Sequence, residues 1–426
     1  MYRRVSGQAF LALFGLALLM RLGLAVAWYT DDLRNFQSGD YGLYYIGGEH
    51  IRTEGDFTNS LFLVRPPLFP LLIHLLNLNS VAVLLVNSGL GALLSPLSYV
   101  FARQLGLRQP FAFLAGVIVA FDPASVVYST FLGAEPLANL LLLLAVIVLQ
   151  GGLQAPAGAR AWFCGALAGS ALALSALARP ATYMLWVVLS VGLLLVDRRK
   201  WRLVAALAAV CCTSTILWTV HNGVVFGNYT FSTIGVYNLL YYRAASVERL
   251  ATGKAIDVVY RDLSERVEAS LGHDTADVDS HTRYHHYAPQ SELQAVMTRV
   301  AIDVFLSDPL AYIATIPLGV VRMFGRTTPL PGWSTPLEVA WNVILVGGTA
   351  MGLQLAFRRG ERFLFGVVLI VTAYYTLGTL LVQVSGMDTR MRTMMTPLMA
   401  SAVAYGASVL WTDRPARRGL AEGTEP

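Results

Sequence analysis

Long apolar segments recur along almost the whole chain, and they restrict the possible folds more than any other feature. An α-helix needs about 20 mainly apolar residues to cross a bilayer. Runs of suitable length and composition lie at about 8–28, 80–102, 110–131, 134–150, 160–178, 181–196, 203–220, 336–356, 363–383 and 393–411. Only 13% of the residues are charged, against roughly 25% in soluble proteins. The sequence therefore predicts an all-α polytopic membrane protein.

One further apolar stretch, at 309–325, leaves the number of spans at about ten or eleven. If this stretch crossed the membrane, the basic segment Arg358–Arg362 would lie outside the cell. Basic residues are depleted from outer loops. We therefore favour an interfacial or re-entrant helix at 309–325, and an eleventh span is the alternative.

The distribution of charge between the spans predicts the orientation of the chain. Arg3 and Arg4 place the N-terminus in the cytoplasm, because basic residues are enriched on that side. The links that contain Arg160 and Arg198–Arg202 are then cytoplasmic as well. The predicted location is the plasma membrane, or inner membrane, crossed many times. The net charge of +5 comes from such links and does not indicate nucleic-acid binding.

Three regions follow from this layout. Residues 1–220 form a seven-span module with a large outer loop at 29–79, and residues 221–308 form an extracytoplasmic, lid-like region with some helix near 289–306. Residues 309–426 form a C-terminal membrane module with a cytoplasmic tail. Within the outer loop, Tyr41 to Ile51 and Leu68 to Leu76 are predicted as short interfacial helices, because they are apolar on one side and too short to span.

The outer loop carries the strongest candidate for chemistry, Asp40. It directly precedes the tyrosine-bearing helix, so it could cap that helix. An isolated Asp has a pKa of about 3.9 and is ionised at neutral pH, so it could equally accept a proton from a hydroxyl group. The other carboxylates of the loop compete for this role and are less well placed: Asp31, Asp32, Glu49, Glu54 and Asp56.

Arginines on the outer side of the membrane indicate an anionic ligand. Arg65, Arg179, Arg390 and Arg392 all fall on the side where basic residues are normally rare. A guanidinium group matches the geometry of phosphate oxygens. We therefore expect these arginines to hold the phosphate of a membrane lipid.

No cofactor and no metal site is predicted. The three cysteines lie inside apolar runs and are expected to pack. His281, His285 and His286 lack the accompanying carboxylate of a zinc protease motif. The sequence also lacks a phosphate-binding glycine loop of the kind that holds nucleotides.

Several short motifs together resemble the multi-span glycosyltransferases of the GT-C fold, in particular the branch of protein O-mannosyltransferases and lipid A aminoarabinose transferases. The resemblance rests on their order and spacing. The motifs are Asp40 with Tyr44 and Tyr45, Arg65–Pro70, Trp218–Asn222, Phe226–Asn228, Tyr237–Leu239, and Arg390–Arg392 before Pro397.

The resemblance implies a GT-C-like bundle and an inverting transfer of sugar from a polyprenyl-phosphate donor on the extracytoplasmic face. Asp40 would be the catalytic base, and the four arginines would be candidates for binding the donor phosphate. The candidates for binding the sugar or the acceptor are Glu135, Asp122, Tyr44, Tyr45, His221, Asn222, Tyr237 and Asn238. The acceptor would be a hydroxyl group of a lipid, a glycan or a protein, and membrane lipids would surround the chain.

Two other functions use the same features. A transporter of lipids or lipid-linked sugars would bind phosphate with the outer arginines without catalysis. A membrane assembly partner would neither transport nor transfer. Detection of a glycosylated product distinguishes the enzyme from both.

Overall fold

The computed structural model describes residues 5–28, 40–154, 158–272, 291–325, 330, 332–382 and 389–413; the side chains of Asp40 and Val382 are outside this description. Within these ranges all regular structure is helical. The expected all-α polytopic membrane fold is confirmed.

The bounds of the helices run as follows in chain order. The α-helices are α1 (Gly7–Trp28), α2 (Asp40–Glu54), α3 (Leu61–Val64), α4 (Leu68–Leu75), α5 (Ser80–Gln104), α6 (Gln109–Phe121), α7 (Pro123–Thr130), α8 (Glu135–Gln154), α9 (Ala159–Ala178), α10 (Leu185–Val196), α11 (Trp201–Phe226), α12 (Ile234–Tyr237), α13 (Ala245–Thr252), α14 (Ile256–Ser270), α15 (Ser291–Ser307), α16 (Pro309–Phe324), α17 (Thr335–Arg358), α18 (Arg362–Val382) and α19 (Thr396–Thr412). Short 3-10 helices lie at Pro180–Thr182, Arg198–Lys200, Gly332–Ser334 and Met391–Met394, and a π-helix lies at Asn238–Ala244.

Each of the ten predicted spans contains a helix, although not every helix is long enough to cross a bilayer alone. Seven helices in the described part are long and apolar enough, and two bent pairs raise the number to nine. The predicted span at 110–131 is one such pair, broken by 52° between α6 and α7. Pro123 explains the break, because the residue before a proline is driven out of the helical conformation, and Asp122 is extended.

The short helices of the outer loop pack against one another. Leu43, Tyr44 and Ile51 of α2 are buried. Gly48 approaches α4 so closely that a Cβ atom there would lie 3.0 Å from Ile73. The expected amphipathic helix is therefore present, and its apolar face is covered by protein.

The region predicted as a lid-like loop is more ordered than expected. The π-helix and helices α12 to α15 surround a hydrophobic core of their own, which includes Tyr241, Leu263 and Met297. Their apolar residues recur at helical spacing, so one face of each helix can be buried. Helix α16, within the ambiguous stretch at 309–325, is bent by 100° from α15.

Small residues bring α9 and α11 close together and fix the position of the C-terminal end of α9. A Cβ atom at Gly165 would lie 2.2 Å from the carbonyl oxygen of Leu203, and one at Gly169 would lie 2.8 Å from that of Leu207. Small residues allow such close approach between membrane helices. This packing holds the residue that follows α9, Arg179, at a defined place.

Candidate active site

Predicted site residues that lie far apart in the sequence line one polar cleft. Its lining includes Tyr44, Arg65, Arg179, Asn238 and Arg390. We call it the arginine cleft. Five of the predicted site residues are therefore brought together, although they span almost 350 positions of the sequence.

Prolines position two of the three arginines. Arg65 ends helix α3 and precedes Pro66, and Arg179 ends helix α9 and precedes Pro180. Both arginines have extended backbones, as the residue before a proline requires. Each chain therefore leaves its helix at the arginine, and both side chains line the same cleft.

A buried carboxylate lies behind the guanidinium groups of Arg179 and Arg390. Glu135, at the start of α8, is 1% exposed, and its Oε1 atom accepts hydrogen bonds from Nη1 of Arg179 and Nε of Arg390. Arg179 also donates from Nη2 to the sulfur of Met391, at 3.2 Å. Glu135 is a predicted sugar or acceptor residue, and in the structure it pairs with two arginines of the cleft.

The cleft is strongly electropositive. Among the described side chains, three guanidinium groups (Arg65, Arg179 and Arg390) face one carboxylate (Glu135), which leaves a net charge of +2. The arginine side chains are at most 12% exposed. Opposite charges attract more strongly in such poorly solvated places than in water.

The first turns of α2 lie against these arginines. The ring of Tyr41 stacks on Phe131 and lies 5.2 Å from the guanidinium carbon of Arg390. The ring of Tyr44 lies 5.6 Å from the guanidinium carbon of Arg65. Burial raises the pKa of Tyr44, and the nearby charge of Arg65 opposes this; the phenol is a neutral hydrogen-bond donor near pH 7. Asp40 begins this helix, one turn before Tyr44, and its side chain lies outside the described part.

A second buried ion pair lies apart from the lining of the cleft. Arg392 donates from Nη1 to Oδ1 of Asp122 at 2.7 Å, and Trp341 donates to the same oxygen at 3.0 Å. The other oxygen of Asp122 accepts from the backbone and side chain of Ser125. Both oxygens are therefore occupied by protein donors. The pair joins the α6–α7 break to α17 and to the 3-10 helix that follows Arg390.

We expect Asp122→Ala to lower the free energy of unfolding by about 3–5 kcal/mol, because it leaves Arg392 as a buried charge without its partner. The measurement is the thermal unfolding midpoint of the purified full chain in detergent. A matched control is Asp413→Ala, which removes an exposed ion pair with Arg359 and should leave the midpoint unchanged. Equal midpoints for the two variants would contradict a structural role of the buried pair.

The remaining predicted residues support the surrounding structure. Asn222 is buried and donates to the carbonyl of Thr230 at 2.8 Å, which closes the turn after α11. Tyr237 packs on Tyr241, and Tyr45 is half-buried on α2. His221 stacks on Trp218 and lies on a different groove, described below.

Tyr242 lines the arginine cleft and was not predicted. It lies on the π-helix, four residues after Asn238, which lines the cleft as well. Local π-helices are frequent at functional sites. The spacing of about one helical turn between Asn238 and Tyr242 could have suggested that both residues face the same side. Using this spacing required knowledge that the segment is helical.

The arginine cleft continues into an apolar cavity. The two share five lining residues: Pro180, Ala181, Ile234, Asn238 and Met391. The continuation, which we call the apolar extension, has about 280 Å³ of space and is lined further by Tyr183, Tyr374, Tyr375, Gly378 and Thr379. The polar end is narrower, at about 50 Å³, which is room for a few water molecules. A sugar phosphate would have to widen it.

Within the described residues, no three His, Cys, Asp or Glu side chains come together as metal ligands would. The histidines at 281, 285 and 286 lie outside the described residues.

Comparison with known proteins identifies the fold. Residues 73–240 match the family model of dolichyl-phosphate-mannose-protein mannosyltransferase. No curated protein matches the chain by sequence. Among solved structures, the chain is similar to the oligosaccharyltransferase AglB from Archaeoglobus fulgidus, in complex with an inhibitory peptide and a dolichol-phosphate, with a TM-score of 0.55 and 12% identity. That match covers 98% of this chain and 52% of the archaeal protein, so the chain spans about half of its length.

Two further structures share less of the geometry. The Pmt1-Pmt2 protein O-mannosyltransferase of S. cerevisiae, bound to the sugar donor, matches with a TM-score of 0.42 and 16% identity over 60% of this chain and 38% of its own. ArnT from Cupriavidus metallidurans, bound to undecaprenyl phosphate, matches with a TM-score of 0.40 and 14% identity over 96% and 77%. The match to AglB shows that the chain has the fold of the GT-C membrane glycosyltransferases, as its motifs predicted, and residues 73–240 match the mannosyltransferase family model.

Proposed function

We propose that the chain is a membrane glycosyltransferase that takes a sugar from a polyprenyl phosphate and transfers it to an acceptor hydroxyl group. One observation carries this proposal: three arginines, each at most 12% exposed, converge on a cleft that continues into an apolar cavity at a membrane helix. A phosphate with a long hydrocarbon chain has the same two parts. The matched mannosyltransferase family supports the same donor class.

The charge of the cleft favours the leaving group over the donor. A polyprenyl-phosphate sugar is a phosphodiester with one negative charge. When the sugar leaves, the phosphate becomes a monoester with about −1.5 to −2 charges at pH 7. Among the described side chains, Arg65, Arg179 and Arg390, with Glu135 behind two of them, present a charge of +2. Interactions that strengthen as the reaction proceeds lower its barrier.

The hydrocarbon part of the donor fits the apolar extension. This cavity is lined by Tyr374, Gly378 and Thr379 of helix α18, which is long and apolar enough to span the membrane. Apolar chains are expelled from water at about 25 cal/mol per Å² of buried surface. The first isoprene units would therefore lie between α18 and the turn that contains Tyr183.

The reaction that fits these parts is a single displacement. Asp40 accepts the proton of the acceptor hydroxyl group while its oxygen attacks the anomeric carbon. The bond from that carbon to the phosphate oxygen breaks, and its electron pair goes to the phosphate. Attack opposite to the leaving group inverts the anomeric configuration. Tyr44, Asn238 and Tyr242 are placed to bind sugar hydroxyl groups.

Other predicted residues act indirectly in this proposal. Glu135 orients two arginines, and the Asp122–Arg392 pair anchors the 3-10 helix that begins after Arg390. Asn222, Tyr237 and Tyr45 are not among the described residues that line the cleft, and this proposal gives them no direct contact with the donor.

We place the cleft on the extracytoplasmic side of the plasma membrane. Arg179 follows the C-terminal end of α9, whereas Arg160 lies at the other end of the same helix. Helix α11 returns from a basic link at Arg198–Lys200. Basic links mark the cytoplasmic side, which supports an active site on the opposite side.

The test uses the purified full chain in proteoliposomes with synthetic undecaprenyl-phosphate mannose, chosen after the matched family, and a total membrane extract as the source of acceptors. We expect release of undecaprenyl phosphate and a product whose anomeric configuration, read by NMR, is opposite to that of the donor. Movement of intact donor across the bilayer without product would indicate the transporter instead. Neither product nor movement, with other undecaprenyl-phosphate sugars included, would contradict both.

A further inference from the structure

A second groove, separate from the arginine cleft, runs along helix α11. It has about 640 Å³ of space and is lined by Ala209, Thr213, Leu217 and His221 of this helix. Twelve residues separate the first from the last, which corresponds to about 18 Å along a helix. Helix α11 is apolar enough to span the membrane. The groove therefore runs in the direction of the hydrocarbon chains of a bilayer.

The α11 groove and the arginine cleft are lined by residues that lie two positions apart in two segments of the chain. Pro67 lines the groove, and Arg65, two residues earlier, lines the cleft. Leu177 lines the groove, and Arg179, two residues later, lines the cleft. The α11 groove and the arginine cleft are therefore neighbours along two separate segments, Arg65–Pro67 and Leu177–Arg179. The apolar extension shares its lining with the cleft, and among the described residues it shares none with the groove.

Polar and aromatic side chains occupy one end of the groove. The ring of His221 stacks on Trp218 at 4.7 Å, and the ring of Phe57 lies 6.4 Å away. Next to Phe57, Asp56 accepts a hydrogen bond from the backbone of Thr58 and is 2.8 Å from the ring nitrogen of His50. Aromatic rings with a polar edge are typical of the boundary between hydrocarbon and water. The groove therefore has an apolar body and a polar mouth.

We propose that the α11 groove holds the hydrocarbon chain of a lipid acceptor, so that the sugar is transferred to a hydroxyl group on a lipid. This inference rests on the proposed function. A lipid would place its chain in the groove, and its headgroup would extend to the cleft along the segments Arg65–Pro67 and Leu177–Arg179. Its hydroxyl oxygen would bond to the anomeric carbon as the bond to the donor phosphate breaks, and its proton would go to Asp40.

The depth of the groove favours a lipid over a peptide. An extended peptide in this position would bring backbone N–H and C=O groups to the level of Ala209 and Thr213 on a membrane helix. Backbone groups without partners are not tolerated in hydrocarbon. A hydrocarbon chain has no such groups. The donor chain already has the apolar extension, which is continuous with the arginines.

The test fills the groove without touching the cleft. In Ala209→Phe and Thr213→Phe, a ring occupies an exposed position of the groove. The matched control is Ile216→Phe, on an exposed position of α11 that does not line the groove. Wild type and variants are produced as full chains. The chloroform–methanol extract and the protein fraction of the membranes are analysed by mass spectrometry for molecules that gain the mass of a sugar.

We expect a glycosylated lipid in wild-type membranes that is absent with Asp40→Asn. Each groove variant should lower its yield about tenfold, because the added ring occupies space that the hydrocarbon chain would fill; a tenfold loss corresponds to about 1.4 kcal/mol. The control should retain the wild-type yield, and undecaprenyl phosphate should bind all of these proteins with similar affinity. Sugar on protein, at a yield that the groove variants do not change, would overturn the lipid acceptor and leave the proposed function intact. Absence of any product together with absence of undecaprenyl phosphate binding would overturn both.

Discussion

Replacing Asp40 with Asn is expected to lower kcat by about 10²–10⁴-fold, the usual contribution of a positioned base. The amide keeps the size and the helix-capping ability of the side chain but cannot accept the proton. Asp40 begins helix α2, and the next residues of this helix contact the arginines: Tyr41 contacts Arg390, and Tyr44 contacts Arg65. The measurement is the initial rate of sugar transfer at saturating donor.

The matched control for this variant is Glu49→Gln, which neutralises an exposed carboxylate on the same helix. Its rate should equal that of wild type. Undecaprenyl phosphate should bind the Asp40 variant as tightly as wild type, because the phosphate is held by the arginines. Undiminished transfer by Asp40→Asn would remove this residue as the base, and an equal loss with Glu49→Gln would show a general effect on α2.

Replacing Arg65 with Ala is expected to lower kcat/KM by about 10²–10³-fold, as the loss of one preorganised donor to a developing negative charge does in other enzymes. Arg65 lines the cleft and is 8% exposed, so water cannot readily take its place. Removal of its charge lowers the net charge of the cleft from +2 to +1. The loss should be larger in the rate of the chemical step than in binding of the donor, which carries a single negative charge.

Two further variants give this prediction its controls. Arg65→Lys should restore only part of the rate, because an ammonium group lacks the planar fork that contacts two phosphate oxygens. Arg52→Ala removes an exposed arginine from the end of α2 and should have no effect. Equal rates for Arg65→Ala and wild type would exclude Arg65 from phosphate binding.

The sequence was most informative where local geometry decides the outcome. Arg65 and Arg179 each precede a proline, and this pattern alone restricts their backbones. Their extended conformations follow, and both side chains reach the cleft. The apolar runs likewise predicted helices at all ten expected spans. Hydrophobic length and the residue before proline are local properties that need no tertiary information.

Contacts between distant residues could not be predicted in this way. Glu135 binds Arg390 across 255 positions, and Asp122 binds Arg392 across 270. Both carboxylates were predicted to bind the sugar or the acceptor, and residue type and side of the membrane gave no sign that each is also paired with an arginine. Only the packing of α7, α8 and the 3-10 helix at Met391–Met394 gives that distinction.

The region after α11 was underestimated for a related reason. Its helices are amphipathic, and each has too little apolar surface to be convincing alone. They become stable by packing on one another, as the shared core of Tyr241, Leu263 and Met297 indicates. The π-helix that brings Tyr242 to the cleft contributes Leu240, Tyr241 and Ala244 to this core, and no local motif marks it.

The most direct test of the central claim is a structure of the full chain in lipid nanodiscs with undecaprenyl phosphate bound. We expect phosphate oxygens within about 3 Å of guanidinium nitrogens of Arg65, Arg179 and Arg390, as in charge-assisted hydrogen bonds, with the hydrocarbon chain in the apolar extension beside α18. A phosphate bound away from all three arginines, for example at the mouth of the α11 groove, would contradict the account.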